Sequence, residues 1–351
     1  MKRRIYFMDL AAILACIAVV MLHTSTIPYS YGVGDIQTRP KVIIFCIILT
    51  VIFAFAVPFF FMNSGANILN YPERYNTKTF FVKRIRKVVI PFVFWSILAY
   101  CVMNHDRSVP DLLNKFIGHD IVPAYWFFYA IIGFYLAAPV LSIAIERMSN
   151  HLLVYFILLA IIIESVLPLL SVVFNINISF PIPIIGAFLQ YFLIGYYIVH
   201  RKIPQKYVKV IYLTGIFFFF AIIFLTILAT FSHLPGWIHF QKQLLVPTFY
   251  DIGTFPAVMM VTAWYLFLSR REDFLQSSCL RKLLPPLSGL TYGIYIIHPI
   301  VIYILMGTLE NKLYSYPVVL QCVAYPMVII VISIGITLIV KKVPLLRELI
   351  P

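Results

Sequence analysis

The first apolar run carries two ionisable groups, Asp9 and His23, in a stretch that otherwise reads Leu10-Ala11-Ala12 through Val19-Val20-Met21-Leu22. At about 100° per residue, Asp9, Ala12, Cys16 and His23 share one helix face. Either that face looks into a polar cavity, or His23 merely caps the run at its end. An imidazole, with an unperturbed pKa of about 6.5, is suited to taking a proton from a hydroxyl near neutral pH. Asp9 lies roughly 21 Å of helix below His23, too far to be its hydrogen-bond partner. A second polar set closes the next apolar run. There Asn63 and Asn67 stand one turn apart, with Ser64 and a helix-loosening Gly65 between them. Such groups bind a polar substrate or hydrogen-bond neighbouring helices. Next comes Lys83-Arg84-Ile85-Arg86-Lys87, four cations in five residues. They could hold a phosphorylated donor through charge-assisted hydrogen bonds, or anchor the chain to lipid headgroups. A late segment, Thr291-Tyr292-Gly293-Ile294-Tyr295-Ile296-Ile297-His298-Pro299, sets a second histidine among apolar residues. Glu164, Gln190 and Asp251 are the remaining polar candidates, and their expected task is helix packing.

These residues sit in a chain that is 62% hydrophobic and only 11% charged, with a mean hydropathy of +0.96 over 351 residues. A soluble domain could not cover its surface with so few charges, so the fitting ruler is the bilayer, at about 20 apolar residues per helical span. Ten spans are expected, at 7–27, 42–68, 88–104, 125–145, 152–172, 182–199, 210–231, 251–268, 287–308 and 317–340. The longest loops are expected at 28–41, 69–87, 105–124 and 232–250. Taking the N-terminus as inside, 21 of the 27 Lys and Arg fall on the inner segments, which supports both orientation and an even span count. The fold class is therefore all-α, one polytopic membrane domain over 1–351, with N- and C-termini cytoplasmic. The net charge of +14 is split into short clusters between apolar runs, so no nucleic-acid surface is expected. Five scattered cysteines form no CxxC pair, and neither a metal site nor a disulfide framework is indicated. The first run has no small-residue cleavage site and is expected to be retained as a span.

Taken in order, five segments make the chain resemble the membrane-bound acyltransferase 3 family. They are the first-span Asp9…His23 pattern, Phe60 to Gly65, the basic segment before the third span, Tyr125-Trp126-Phe127-Phe128-Tyr129-Ala130, and Tyr292 to Pro299. The resemblance implies an enzyme that O-acylates surface glycans. The donor would be acyl-CoA, with acetyl the default group and succinyl the alternative, held by Lys83, Arg84, Arg86 and Lys87. His23 would be the general base and Asp9 would face donor entry. Asn63, Ser64, Asn67, Trp126, Tyr292 and His298 would line the polar cavity. No bound cofactor is implied. Implied partners are acyl-CoA, a surface glycan or lipid-linked sugar, membrane lipids and glycan biosynthesis machinery, in the plasma or inner membrane. The chain departs from the family pattern at Ala12, where an Arg is usual eleven residues before the first-span His, and at Ala124, where a His is usual. Arg84 or Arg86 is the expected substitute for the first. The alternative reading is export of a polysaccharide or lipid-linked sugar without acyl transfer, as in intercellular adhesin C-like members.

Overall fold

Apolar runs and the prolines that interrupt them set the helix plan. The computed structural model describes residues 4–24, 40–104, 108–178, 186, 188–231, 251–277, 279–313, 316–344 and 346–351. Among these there is no strand, and a helix stands at each of the ten expected places. The first three spans are α1 (Tyr6–Thr24), α2 and α3 (Pro40–Phe53, Ala56–Ile68), and α4 leading into α5 (Thr77–Arg84, Ile90–Met103). A short α6 (Val109–Ile117) precedes α7 (Trp126–Arg147), and α8 runs on into α9 (Asn150–Ile161, Leu167–Phe174). Then follow α10 (Leu189–His200), α11 (Gln205–Phe231), α12 (Phe255–Ser269) and α13 (Glu272–Ser277). The last three are α14 (Leu280–Ser288), α15 (Thr291–Leu313) and α16 (Tyr325–Lys342).

Among the described residues, seven spans are long and apolar enough to cross a bilayer, or eight when α14 and α15, bent by 51°, count as one. The other two places hold the shorter α10, of 12 residues, and α12, of 15. The protein is thus an all-α polytopic membrane protein. The end of the first expected span, the start of the sixth, and most of the loops at 28–41 and 232–250 lie outside the described residues. So do Lys2, Arg3, Arg39, Arg107 and Lys242.

One boundary differs from the sequence reading. The third span does not begin at 88, because the helix opens at Thr77, where the Asn76 side chain accepts from the Thr79 amide at 2.9 Å. The basic run that reads as loop is its first turns, and long cationic side chains at a helix end can reach the headgroups. Among the described residues three turns are widened to π geometry, at Ile85–Val89, Ile162–Val166 and Leu320–Ala324. Each ends two residues before a proline, Pro91, Pro168 or Pro326. A proline offers no amide and crowds the carbonyl four residues earlier, and a widened turn relieves that crowding.

The chain forms two compact units, residues 1–67 with 145–281 and residues 68–144 with 282–351. In the first, α1 packs on α2, α12 and α13. The apolar window of α1 is 61% buried and that of α11 only 17%, so α1 is an inner helix and α11 turns Phe217, Phe220 and Phe224 to lipid. Helices α3 and α10 meet backbone to backbone. A Cβ on Gly65 would stand 1.8 Å from the Phe192 carbonyl oxygen, and one on Gly195 would stand 2.1 Å from that of Met62. Gly65 is therefore a contact residue and not a loosening one. In the second unit, α15 packs on α5 and α16 around an aromatic layer. Phe92 stacks on Phe128 at 4.9 Å, and Phe128 meets Tyr295 edge-on at 5.4 Å. The hydroxyls on this layer are bonded: Tyr125 donates to the Ile296 carbonyl at 2.5 Å and Tyr295 to that of Ala124 at 2.9 Å.

Candidate functional site

Within the first unit the site is built on α1. The first amides of any helix lack intrahelical partners and sit at the positive end of its dipole, so a carboxylate there is favourable. Glu272, at the start of α13, fills that role. Its Oε1 accepts from the Tyr6 amide at 3.1 Å and its Oε2 from the Phe7 amide at 2.8 Å. Gln276 Nε2 holds the same carboxylate at 2.6 Å. One turn further on, the buried Asp9 receives a forked pair from Arg4: Nε to Oδ2 at 2.6 Å and Nη2 to Oδ1 at 2.9 Å. The guanidinium beside Asp9 thus belongs to Arg4, in the same unit. Ala12 is half-buried, Cys16 is buried, and His23 is exposed beside the buried Met21 and Thr24. The face that shares these residues is closed at its Asp9 end and accessible at His23.

Asn63 serves this helix too. Its Nδ2 donates to the Met8 carbonyl at 2.9 Å, and its Oδ1 accepts from the Tyr265 hydroxyl at 2.7 Å, so one carboxamide joins α3, α1 and α12. Asn67 is exposed and donates to the Asn63 carbonyl at 3.1 Å; Ser64 is half-buried. The other polar candidates of this unit hold helix ends. Glu164, in the π turn, accepts from the Phe188 amide at 2.8 Å ahead of α10. Gln190 donates to Ser165 Oγ at 3.4 Å, and Asp251 accepts from the Gly253 amide at 2.7 Å ahead of α12.

Within the second unit the basic segment divides in two. Lys83 Nζ stands 4.1 Å above the Tyr75 ring. The Arg84 guanidinium lies over Phe80 and Tyr135, at 5.3 and 5.2 Å, and its Nε is buried with no hydrogen-bond partner among the described residues. Arg86 and Lys87 are exposed. The widened turn begins at Ile85, between the two pairs, and the Tyr292 hydroxyl donates to the Val88 carbonyl inside that turn at 3.2 Å. His298 is wholly buried, with Nδ1 3.2 Å from the Ile294 carbonyl oxygen, and Trp126 is half-buried at the start of α7.

Residues 5–340 match the family model of the acyltransferase 3 type, described as an acyltransferase domain. The chain belongs to the acyltransferase 3 family. Members of this family are acyltransferases, so acyl transfer is the chemistry of this chain. No curated protein and no solved structure matches it. The acyltransferase 3 match takes in both units, from Ile5 to Val340. Three residues that serve α1 escaped the sequence reading: Arg4, Tyr265 and Glu272. Arg4 stands five residues before Asp9 and was legible in principle. Glu272 contacts α1 across 266 positions and left no local signal.

Proposed function

We propose that this acyltransferase moves an acyl group, acetyl in the simplest case, from cytoplasmic acyl-CoA to a hydroxyl of an extracytoplasmic polysaccharide or glycolipid at the cell membrane. The observation that carries this is His23, an accessible imidazole at the end of a largely buried span. His23 takes the proton of the acceptor hydroxyl as its oxygen attacks the thioester carbonyl. The tetrahedral adduct then collapses, the C–S bond breaks, and the proton passes to the departing thiolate. The products are an ester and free coenzyme A. General-base help of this kind is worth about 100- to 10,000-fold in rate.

The donor's phosphates are assigned to Lys83, Arg84, Arg86 and Lys87. Support comes from the exposure of Arg86 and Lys87. Asn63 is assigned to holding α1, since both ends of its amide are engaged, and Ser64 and Asn67 are the remaining polar candidates of α3 for the substrate side. The test is His23→Ala in cells, with surface-glycan ester content read by mass spectrometry and protein level by immunoblot. The expected result is loss of ester at unchanged protein level. Unchanged ester would remove His23 from the reaction.

A further inference from the structure

Residues 346–351 follow the last span and lie past position 340, where the family match ends. They do not trail into solvent. A short 3-10 turn, Arg347–Leu349, packs within the second unit on α16, on α5 and on the widened turn Ile85–Val89. The Trp95 indole donates from Nε1 to the Leu349 carbonyl at 3.1 Å. Ile350 is buried, and what it meets on α15 is bare backbone. A Cβ on Gly293 would stand 2.8 Å from Ile350 Cγ2 and 2.6 Å from Thr337 Cγ2. Beside Gly293, the Tyr292 hydroxyl reaches into the widened turn and donates to the Val88 carbonyl at 3.2 Å. At the end of α16, Lys341 Nζ ties the chain back to the Gly289 carbonyl at 2.7 Å.

The segment lands where the α4–α5 helix departs from regular geometry. A widened turn carries one residue more than an α turn, and such turns are rare. Were it to relax to a regular turn, the two sides would rotate by about 100° relative to each other. Lys83 and Arg84 lie just before it, and Arg86 and Lys87 lie in it. The direction of all four cations relative to α5 therefore depends on what keeps the turn widened. We infer that residues 346–351 are a strap that fixes this turn, with Ile350 and Trp95 as positioning residues for the cations assigned to the donor. The hold on the turn stands on the contacts alone, and its bearing on the donor rests on the reading proposed above.

The test uses the full chain in phosphatidylcholine nanodiscs, with hydrogen–deuterium exchange of the peptide covering residues 83–90 and titration with coenzyme A. Wild type is compared with Ile350→Ala, with Ile350→Val as the conservative change, and with Trp95→Phe, which keeps a ring and removes the donated N–H. Arg86→Gln/Lys87→Gln reports on the donor assignment itself. Trp95→Phe keeps the test decisive should Ile350→Ala fail to fold. Exchange across the turn is expected to quicken by about tenfold in Ile350→Ala, less in Trp95→Phe and least in Ile350→Val. Coenzyme A affinity should fall in the same order, by about fivefold or more in Ile350→Ala. By reciprocity, coenzyme A should slow exchange of residues 346–351 in wild type, which packing alone would not do. Unchanged exchange across the turn in both Ile350→Ala and Trp95→Phe overturns the strap. Faster exchange with unchanged affinity overturns the positioning role, provided Arg86→Gln/Lys87→Gln does weaken binding. If that double variant also leaves affinity unchanged, the donor reading falls with the positioning role, and the hold on the turn stands.

Discussion

Replacing Glu272 by alanine strips the first turn of α1 of the carboxylate that accepts from the Tyr6 and Phe7 amides at 3.1 and 2.8 Å. Each charge-assisted hydrogen bond is worth about 1.5–3 kcal/mol when no substitute is offered. Water can reach part of this end, since Glu272 is half-buried, and losing a helix N-cap costs about 0.5–2 kcal/mol. We therefore expect a local cost near 2 kcal/mol, which corresponds to about 30-fold faster exchange of those amides through local opening. Glu272→Gln keeps one acceptor oxygen and turns an amide group toward the other donor, so it should fall between wild type and Glu272→Ala. The assay is hydrogen–deuterium exchange of the peptide covering residues 5–10 in nanodiscs, with acyl transfer measured on the same preparations. Activity should fall as exchange rises, because α1 carries His23. Unchanged exchange in Glu272→Ala would refute the claim that this carboxylate holds α1.

Three further outcomes are expected. Gly195→Ala drives a Cβ to 2.1 Å from the Met62 carbonyl oxygen, and overpacking of this kind should cost about 3 kcal/mol, seen as lost folded yield after detergent extraction. Ala12→Arg adds a guanidinium one turn past Asp9 on the same face, and labelled acetyl transfer by membranes should rise; no rise would mean that Arg4 already supplies what that position lacks. The Tyr100 hydroxyl, and then Lys115, hold the Asp111 carboxyl below its usual value of 3.8. That contribution is present above 3.8 and is lost as pH falls through the depressed value. The gap in unfolding temperature between wild type and Asp111→Asn should therefore close on acidification.

The long spans were legible because lipid-facing helices are apolar all round, as in Asn150–Phe174 and Gln205–Phe231. The shorter α10 and α12 were legible as short runs, although their length alone would not mark them as spans. The start of the third span was not, since Lys83, Arg84, Arg86 and Lys87 read as loop by hydropathy while Asn76 caps a helix ahead of them. Prolines were visible, but the widened turns before Pro91, Pro168 and Pro326 depend on how each helix absorbs its crowded carbonyl. At the site, the polar residues of α1 and α3 stood out because their surroundings are apolar. Their partners did not: Tyr265 lies 202 positions from Asn63 in a run of similar aromatics, and Glu272 sits in a polar turn where an acid is unremarked.

The clamp on α1 also bears on how the protein is made. Its first unit is discontinuous, with residues 68–144 synthesised before 145–281 completes it. While the ribosome is still short of position 272, α1 is already in the membrane with its leading amides unclaimed and the Asn63 amide waiting for Tyr265. A nascent chain arrested before α12 should therefore hold α1 in a frayed, protease-accessible state, and one released after α13 should not. The order of translation makes the histidine-bearing helix among the first elements inserted and among the last to be fixed.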